Sequence, residues 1–320
     1  MGIIVVMKSE DYVKDIADVF TYFSQFSYAP SFDEIHRFLK IPISSKDLQV
    51  LLKKMTIQGS VVEKNTPKGK IYTLGEYSRL SFQDSNTKYQ SSKLKMRKIR
   101  PYVRLLSYFP QIKLIGLSGS VAMMNADTDD DVDLFIITAA SRLWTGRAVS
   151  NILAVGYGLK RRRVQLRPAK RDFIGGKGVK DKVCLNLFFD EARLSVPHAK
   201  KNEYIAHEIL QMRPLFVRGE SHKRFLSENA WVFKIFPNAN RSMPVFLSPS
   251  PDLLAPKPVC RQAGRKKTRS SLWIQIGGSV EFLLKKLQLL LINRHKTTEI
   301  ISANQLWFFP DDFEKKLQDL

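Results

Sequence analysis

The stretch from Leu117 to Ile137 constrains this chain more than any other. An apolar run ends in Gly119-Ser120, and after ten residues Asp131-Val132-Asp133 leads straight into Leu134-Phe135-Ile136-Ile137. Alternate side chains of an extended strand share a face, so Asp131 and Asp133 aim at one spot while Val132 turns to the core. Two hard oxygen ligands at such a point suit Mg²⁺, which takes its remaining ligands from water and substrate phosphates. Gly119 lets backbone approach a phosphate closely, and a helix starting after Ser120 would direct N–H groups at it. An acidic surface loop would explain five Asp between positions 127 and 133, but not an apolar strand running directly out of them. An EF-hand is excluded, because counting from Asp127 the required glycine is Val132 and the closing Glu is Thr138.

The surrounding pattern alternates strand and helix. Strands are expected at Lys113–Leu117, Asp131–Thr138, Val164–Leu166 and Val183–Phe189, with a helix over Ser141–Gly156 and Gly175–Gly178 as a hairpin tip. The expected class is α+β, a mixed sheet forming a core over residues 102–200.

Gly-Ser, a short helix, then Asp-x-Asp at a strand start resembles the signature of the DNA polymerase beta-like nucleotidyltransferase superfamily. CCA-adding enzymes, aminoglycoside nucleotidyltransferases and small toxin–antitoxin nucleotidyltransferases belong to it. The motif spans Gly119 to Asp133, and the compatible strand pattern covers about Tyr102 to Pro197, under a third of the chain. The resemblance implies that Gly119 and Ser120 contact the triphosphate of a nucleoside triphosphate and that Asp131 and Asp133 hold Mg²⁺. It implies attack on the α-phosphorus with release of pyrophosphate, the acceptor being RNA, a small molecule or a protein. Active members usually add a third acid from a neighbouring strand. Here that slot holds Gln165 or Asn186, amides that cannot take a proton. Asn186 is the candidate third catalytic position, on one strand face with Cys184 and Phe188, and Asn186→Asp is expected to raise transfer.

Residues 1–80 read as a separate unit. Val13, Ile16, Phe20 and Phe23 mark a first helix, Ser31 with Glu34 opens a second, and Ser44 with Asp47 opens a third ended by Gly59. Two β-prone runs joined at Thr66-Pro67-Lys68-Gly69 follow, so the whole resembles a winged helix-turn-helix module. Lys46, Gln49, Lys53 and Lys54 lie off the apolar stripe of the third helix, where a recognition helix reads DNA. The module is expected to fold alone and bind duplex DNA with strong salt dependence. A net charge of +22 favours such polyanionic partners. A DNA-binding regulator whose core holds nucleotide without turnover is therefore the second functional reading.

The remainder is helical. A basic connecting helix over 81–101 is expected to break at Pro101. The region 201–320 carries helices at Tyr204–Met212 and Leu272–Asn293, the latter with Ile276, Val280, Leu283, Leu287 and Leu290 facing in, and a Pro-rich basic loop at 243–271. His207-Glu208 starts like a zinc-protease motif, but Gln211 occupies the second histidine position, so a helix-surface pair is expected. Two cysteines outside any CxxC suggest a reducing, cytoplasmic setting, and no segment reads as a membrane span.

Overall fold

The computed structural model describes residues 2–67, 69–78, 84–160, 182–240, 271–294 and 300–308. Val164–Leu166 with Gln165, Gly175–Gly178 and residues 243–270 fall outside them. The chain is α+β, with a mixed six-stranded sheet and a helical part.

Helices α1 (Gly2–Ser24), α2 (Phe32–Phe38) and α3 (Ser45–Ile57) precede a hairpin of β1 (Val61–Thr66) and β2 (Gly69–Leu74). The local signals operate as the sequence suggests. Ser31 and Glu34 form a reciprocal capping box, the Asp47 N–H donates to Ser44 Oγ, and Gly59 closes α3 in the left-handed region at φ +79°.

Next comes α4 (Ser85–Ser107), which passes through Pro101 without a break. The proline gives up one backbone hydrogen bond, but Ile99, Tyr102, Val103 and Leu106 on either side are fully buried and hold the helix together. The connecting segment and the start of the core are thus one continuous element.

The large sheet comprises β3 (Ile112–Ser118), β4 (Val132–Thr138), β5 (Val183–Asp190), β6 (Arg213–Val217), β7 (Ile300–Ile301) and β8 (Gln305–Trp307). Their order is β6-β3-β4-β5-β8-β7, with β4 and β5 parallel and the other pairs antiparallel. A one-turn helix α5 (Gly119–Ala122) leaves β3, and α6 (Leu143–Gly156) lies between β4 and β5, as a parallel crossover requires. Beyond β5 come α7 (Glu203–Gln211), α8 (Ser221–Glu228), α9 (Val232–Ile235) and α10 (Ser271–Asn293).

Strand alternation divides the interior. Leu134, Ile136, Phe188 and Leu306 face α4, α5 and α6, whereas Leu114, Phe135, Phe189 and Trp307 belong to a core shared with the N-terminal helices, α7 and α9. That shared core differs from the expectation of a self-contained N-terminal unit. His207 on α7 stacks on Tyr22 at 3.7 Å and on Phe38 at 4.2 Å between ring centroids. Asn238 accepts from the Ile43 N–H and donates to Leu39 and Ile41 carbonyls, and Lys40 pairs with Glu203 at 2.9 Å. His207 is 1% exposed, so it is an interior ring and not part of a helix-surface pair.

Helix α10 reverses the expected inside and outside. Val280, Leu283, Leu287 and Leu290 are exposed, while Glu281 and Gln288 face α6. Glu281 accepts the Trp144 and Thr145 N–H groups at the start of α6, and Gln288 joins Arg147 to the Trp144 carbonyl. The same inward face carries Leu284, Leu289 and Ile292 against the core, so it supplies both the acceptors for the start of α6 and apolar packing. Among the described residues no helix is long and apolar enough to cross a membrane.

Candidate active site

The site sits where β3 ends and β4 begins. Antiparallel register sets Ser118 against Asp133. Gly119 turns the chain at φ +66°, and a Cβ there would lie 2.7 Å from Asp133 Oδ2, so both backbone conformation and space require glycine. β4 starts at Val132, one residue after the Asp131 expected to open it, and the Val132 N–H donates to the Lys182 carbonyl.

The acidic loop before β4 is held from α4. Lys95 is 1% exposed, and its Nζ donates to the carbonyls of Thr128 at 3.0 Å and Asp130 at 2.7 Å. Ser92 Oγ accepts the Ala126 N–H, and Lys88 lies 3.7 Å from Asp127. A buried ammonium thus fixes the backbone that delivers Asp131 and offsets part of the negative charge around it. Lys95→Met removes the donor from two partly exposed carbonyls, at a cost of roughly 0.5–1.5 kcal/mol each. Thermal melts should show that loss.

Asp131 and Asp133 face one side, as the spacing suggests. Asp131 Oδ2 accepts from Cys184 Sγ at 3.3 Å, and Asp133 Oδ1 accepts from Asn186 Nδ2 at 2.6 Å. Asn186 owes its position to a β-bulge: Leu134 pairs with Leu185 but Phe135 pairs with Leu187, leaving Asn186 as the extra residue. The extra residue resets the alternation. Cys184 and Asn186 reach the aspartates, while Phe188 turns to the opposite core, so the expected sharing of a face extends to Cys184 only.

Ser120 lines the same cavity, and its hydroxyl donates to Asp130 Oδ2 at 2.7 Å, an oxygen that also accepts the Asp127 N–H. Helix α5 is a single turn, Gly119–Ala122, and so presents few N–H groups.

Sequence reading missed Glu208. It lines the same cavity as Asp131, Asp133 and Asn186, and its carboxylate accepts the Gly119 N–H. Burial raises its pKa to about 7, partly opposed by that N–H. Asp133 is likewise raised to about 7, first by burial and then by Glu208, Asp131 and Asp130. Sequence singled out Glu208 only as half of a helix-surface pair with His207, because periodicity does not reveal what a helix packs against.

Among the described residues no three His, Cys, Asp or Glu side chains form a metal-enclosing group. The oxygen donors of Asp131 and Asp133 nevertheless fit a magnesium ion completed by water and phosphate, and their mutual repulsion with Glu208 is what a divalent cation relieves. A cavity of about 480 Å³ opens beside them, with Lys88 and Gly119 also among its lining residues. Lys46, Gln49, Lys53 and Lys54 are all exposed on α3, apart from this cavity. Comparison with protein-family models, with curated proteins and with solved structures finds no match to this chain.

Proposed function

We propose that the chain is a magnesium-dependent nucleotidyltransferase with a polymerase beta-like active site, moving a nucleoside monophosphate from a triphosphate to an acceptor hydroxyl. The observation that carries this reading is the convergence of Asp131, Asp133 and Glu208 around the Gly119 turn, on the wall of one cavity. Magnesium, when bound through Asp131 and Asp133, neutralises phosphate charge. Gly119 gives the phosphates close approach to backbone, and Lys88 supplies a cation at the same cavity. Glu208, held between protonated and ionised forms near neutral pH, accepts the proton of the attacking hydroxyl. A cytoplasmic, reducing setting keeps Cys184 as the thiol that donates to Asp131.

Glu208 alters what Asn186 does. Its amide donates to Asp133, so Asn186→Asp removes a hydrogen bond and adds a further negative charge. Transfer should therefore fall, the reverse of what a missing third acid suggests. Incubation with each of the four labelled ribonucleoside triphosphates and magnesium should show incorporation, reduced about 10²-fold or more by Glu208→Gln. Full activity in Glu208→Gln would remove its role as base.

The exposed lysines of α3 favour a second reading, a DNA-binding regulator whose core holds nucleotide without turnover. Magnesium-dependent triphosphate binding with no incorporation into any acceptor would select it.

A further inference from the structure

The part of the cavity formed by the sheet and α7 is unlike a phosphate site. Its walls include Phe135 on β4, Leu187 and Phe189 on β5 and Trp307 on β8. Facing them, α7 contributes Ile205 and Ile209, on the same stripe as Glu208. Among these six walls the one polar atom is the Trp307 indole N–H, and it is already bonded to Gln305 Oε1 at 3.2 Å. Gln305 is itself committed, its amide donating to the carbonyls of Arg193 and Ser195. Aromatic packing fixes the wall, with Phe189 5.3 Å from Trp307 and 5.2 Å from Phe135 between ring centroids.

A nucleobase is recognised by hydrogen bonds along its edge, and a site that leaves such groups unpaired rejects it. These six side chains offer none, and neither a base edge nor a sugar hydroxyl array finds a partner on them; the polar groups of the same cavity come from Asn186, Tyr204 and Gln211. What fits is an apolar body whose polar end reaches the carboxylates at the border of the chamber.

Resting on nucleotidyl transfer as the reaction, we propose that the chamber binds the acceptor, a hydrophobic alcohol whose hydroxyl is presented between Asp133 and Glu208. The hydroxyl oxygen then bonds the α-phosphorus, and the bond from that phosphorus to the bridging oxygen breaks, its electron pair leaving with pyrophosphate. The hydroxyl proton passes to Glu208 and on to water. The product is a phosphodiester between the alcohol and a nucleoside, with no change of oxidation state.

Binding of a homologous series from butanol to octanol to the full chain tests the chamber independently of turnover. Affinity should rise by about fourfold for each added methylene, the value for full transfer of that group out of water. Leu187→Trp fills the chamber and should weaken octanol at least tenfold while leaving magnesium–triphosphate affinity unchanged. Ile209→Gln, which adds a polar group to the facing wall, should act in the same direction. An affinity independent of chain length overturns the proposal. So does a Leu187→Trp variant that loses triphosphate and keeps octanol, since the chamber would then hold the base, through Tyr204 or Gln211 at the same cavity. Labelled nucleotide incorporated into octanol, with pyrophosphate released in equal amount, completes the case. Chain-length-dependent binding in a protein that binds no triphosphate would keep the apolar ligand class and overturn transfer to it.

Discussion

Asp133→Asn should cut the proposed transfer by orders of magnitude and at the same time make the metal-free protein more stable. On the catalytic side, losing an anionic ligand from the proposed metal site costs on the order of 10²–10³ in turnover, as for other preorganised charge-stabilising groups. On the stability side, Asp133 sits with Glu208, Asp131 and Asp130, and its pKa is raised from 3.8 to about 7. A carboxyl raised in the folded state binds its proton more tightly there than in the unfolded chain. The folded state is therefore penalised increasingly as pH rises from about 4 to about 7, and fully above that. Replacing the carboxylate by an amide of equal size removes the penalty. The side chain is only partly buried, so solvent screening reduces the full shift to roughly 1–2 kcal/mol at pH 8. Melting curves without metal should show a gain of several degrees at pH 8 and none near pH 4. Unchanged stability at both pH values would mean the carboxylates do not repel one another as described.

His207→Ala should be among the most damaging substitutions outside the site. The ring is stacked between Tyr22 and Phe38 with Phe236 against its edge, and truncating a buried aromatic costs roughly 3–5 kcal/mol. Burial also holds its pKa well below 6.5, and its Nδ1 has no hydrogen-bond partner among the described residues. A histidine depressed in the folded state contributes no loss above pH 6.5, where both states are neutral. As pH falls below that value the unfolded chain takes up the proton first and stability declines. His207→Phe should keep the packing and flatten this acid limb, measured as melting temperature from pH 7.5 to 5. An unaltered acid limb would assign the lability to another group, such as His222, whose pKa burial lowers to about 4.

What could be read from sequence was local. Ser31 with Glu34 and Ser44 with Asp47 announce helix starts because their bonds span only three residues. The shared face of Asp131 and Asp133 follows from strand geometry, and Asn186 reaches Asp133 because parallel pairing brings β5 beside β4. What stayed hidden depends on partners distant in the chain. The bulge that separates Asn186 from Phe188 is a property of two strands together. Glu208 becomes a site residue only because α7 is folded against the Gly119 turn. The apolar stripe of α10 was misassigned because Glu281 and Gln288 are needed at α6, a demand that hydrophobic periodicity does not register.

The position of β8 has a further consequence, for the order in which the molecule is completed. Gly119, Asp131, Asp133 and Asn186 lie on β3, β4, β5 and their turns, which pair directly with one another. Trp307 arrives only after α6 through α10 have been laid down, and closing so long a loop is slow. Until Leu187, Phe188 and Phe189 find Trp307, Leu306 and Gln305, the edge of β5 offers unpaired backbone groups beside an aromatic wall. A partly folded chain therefore holds a nearly formed carboxylate cluster next to a sticky strand. Its refolding yield should depend more steeply on protein concentration than the small size of β8 suggests.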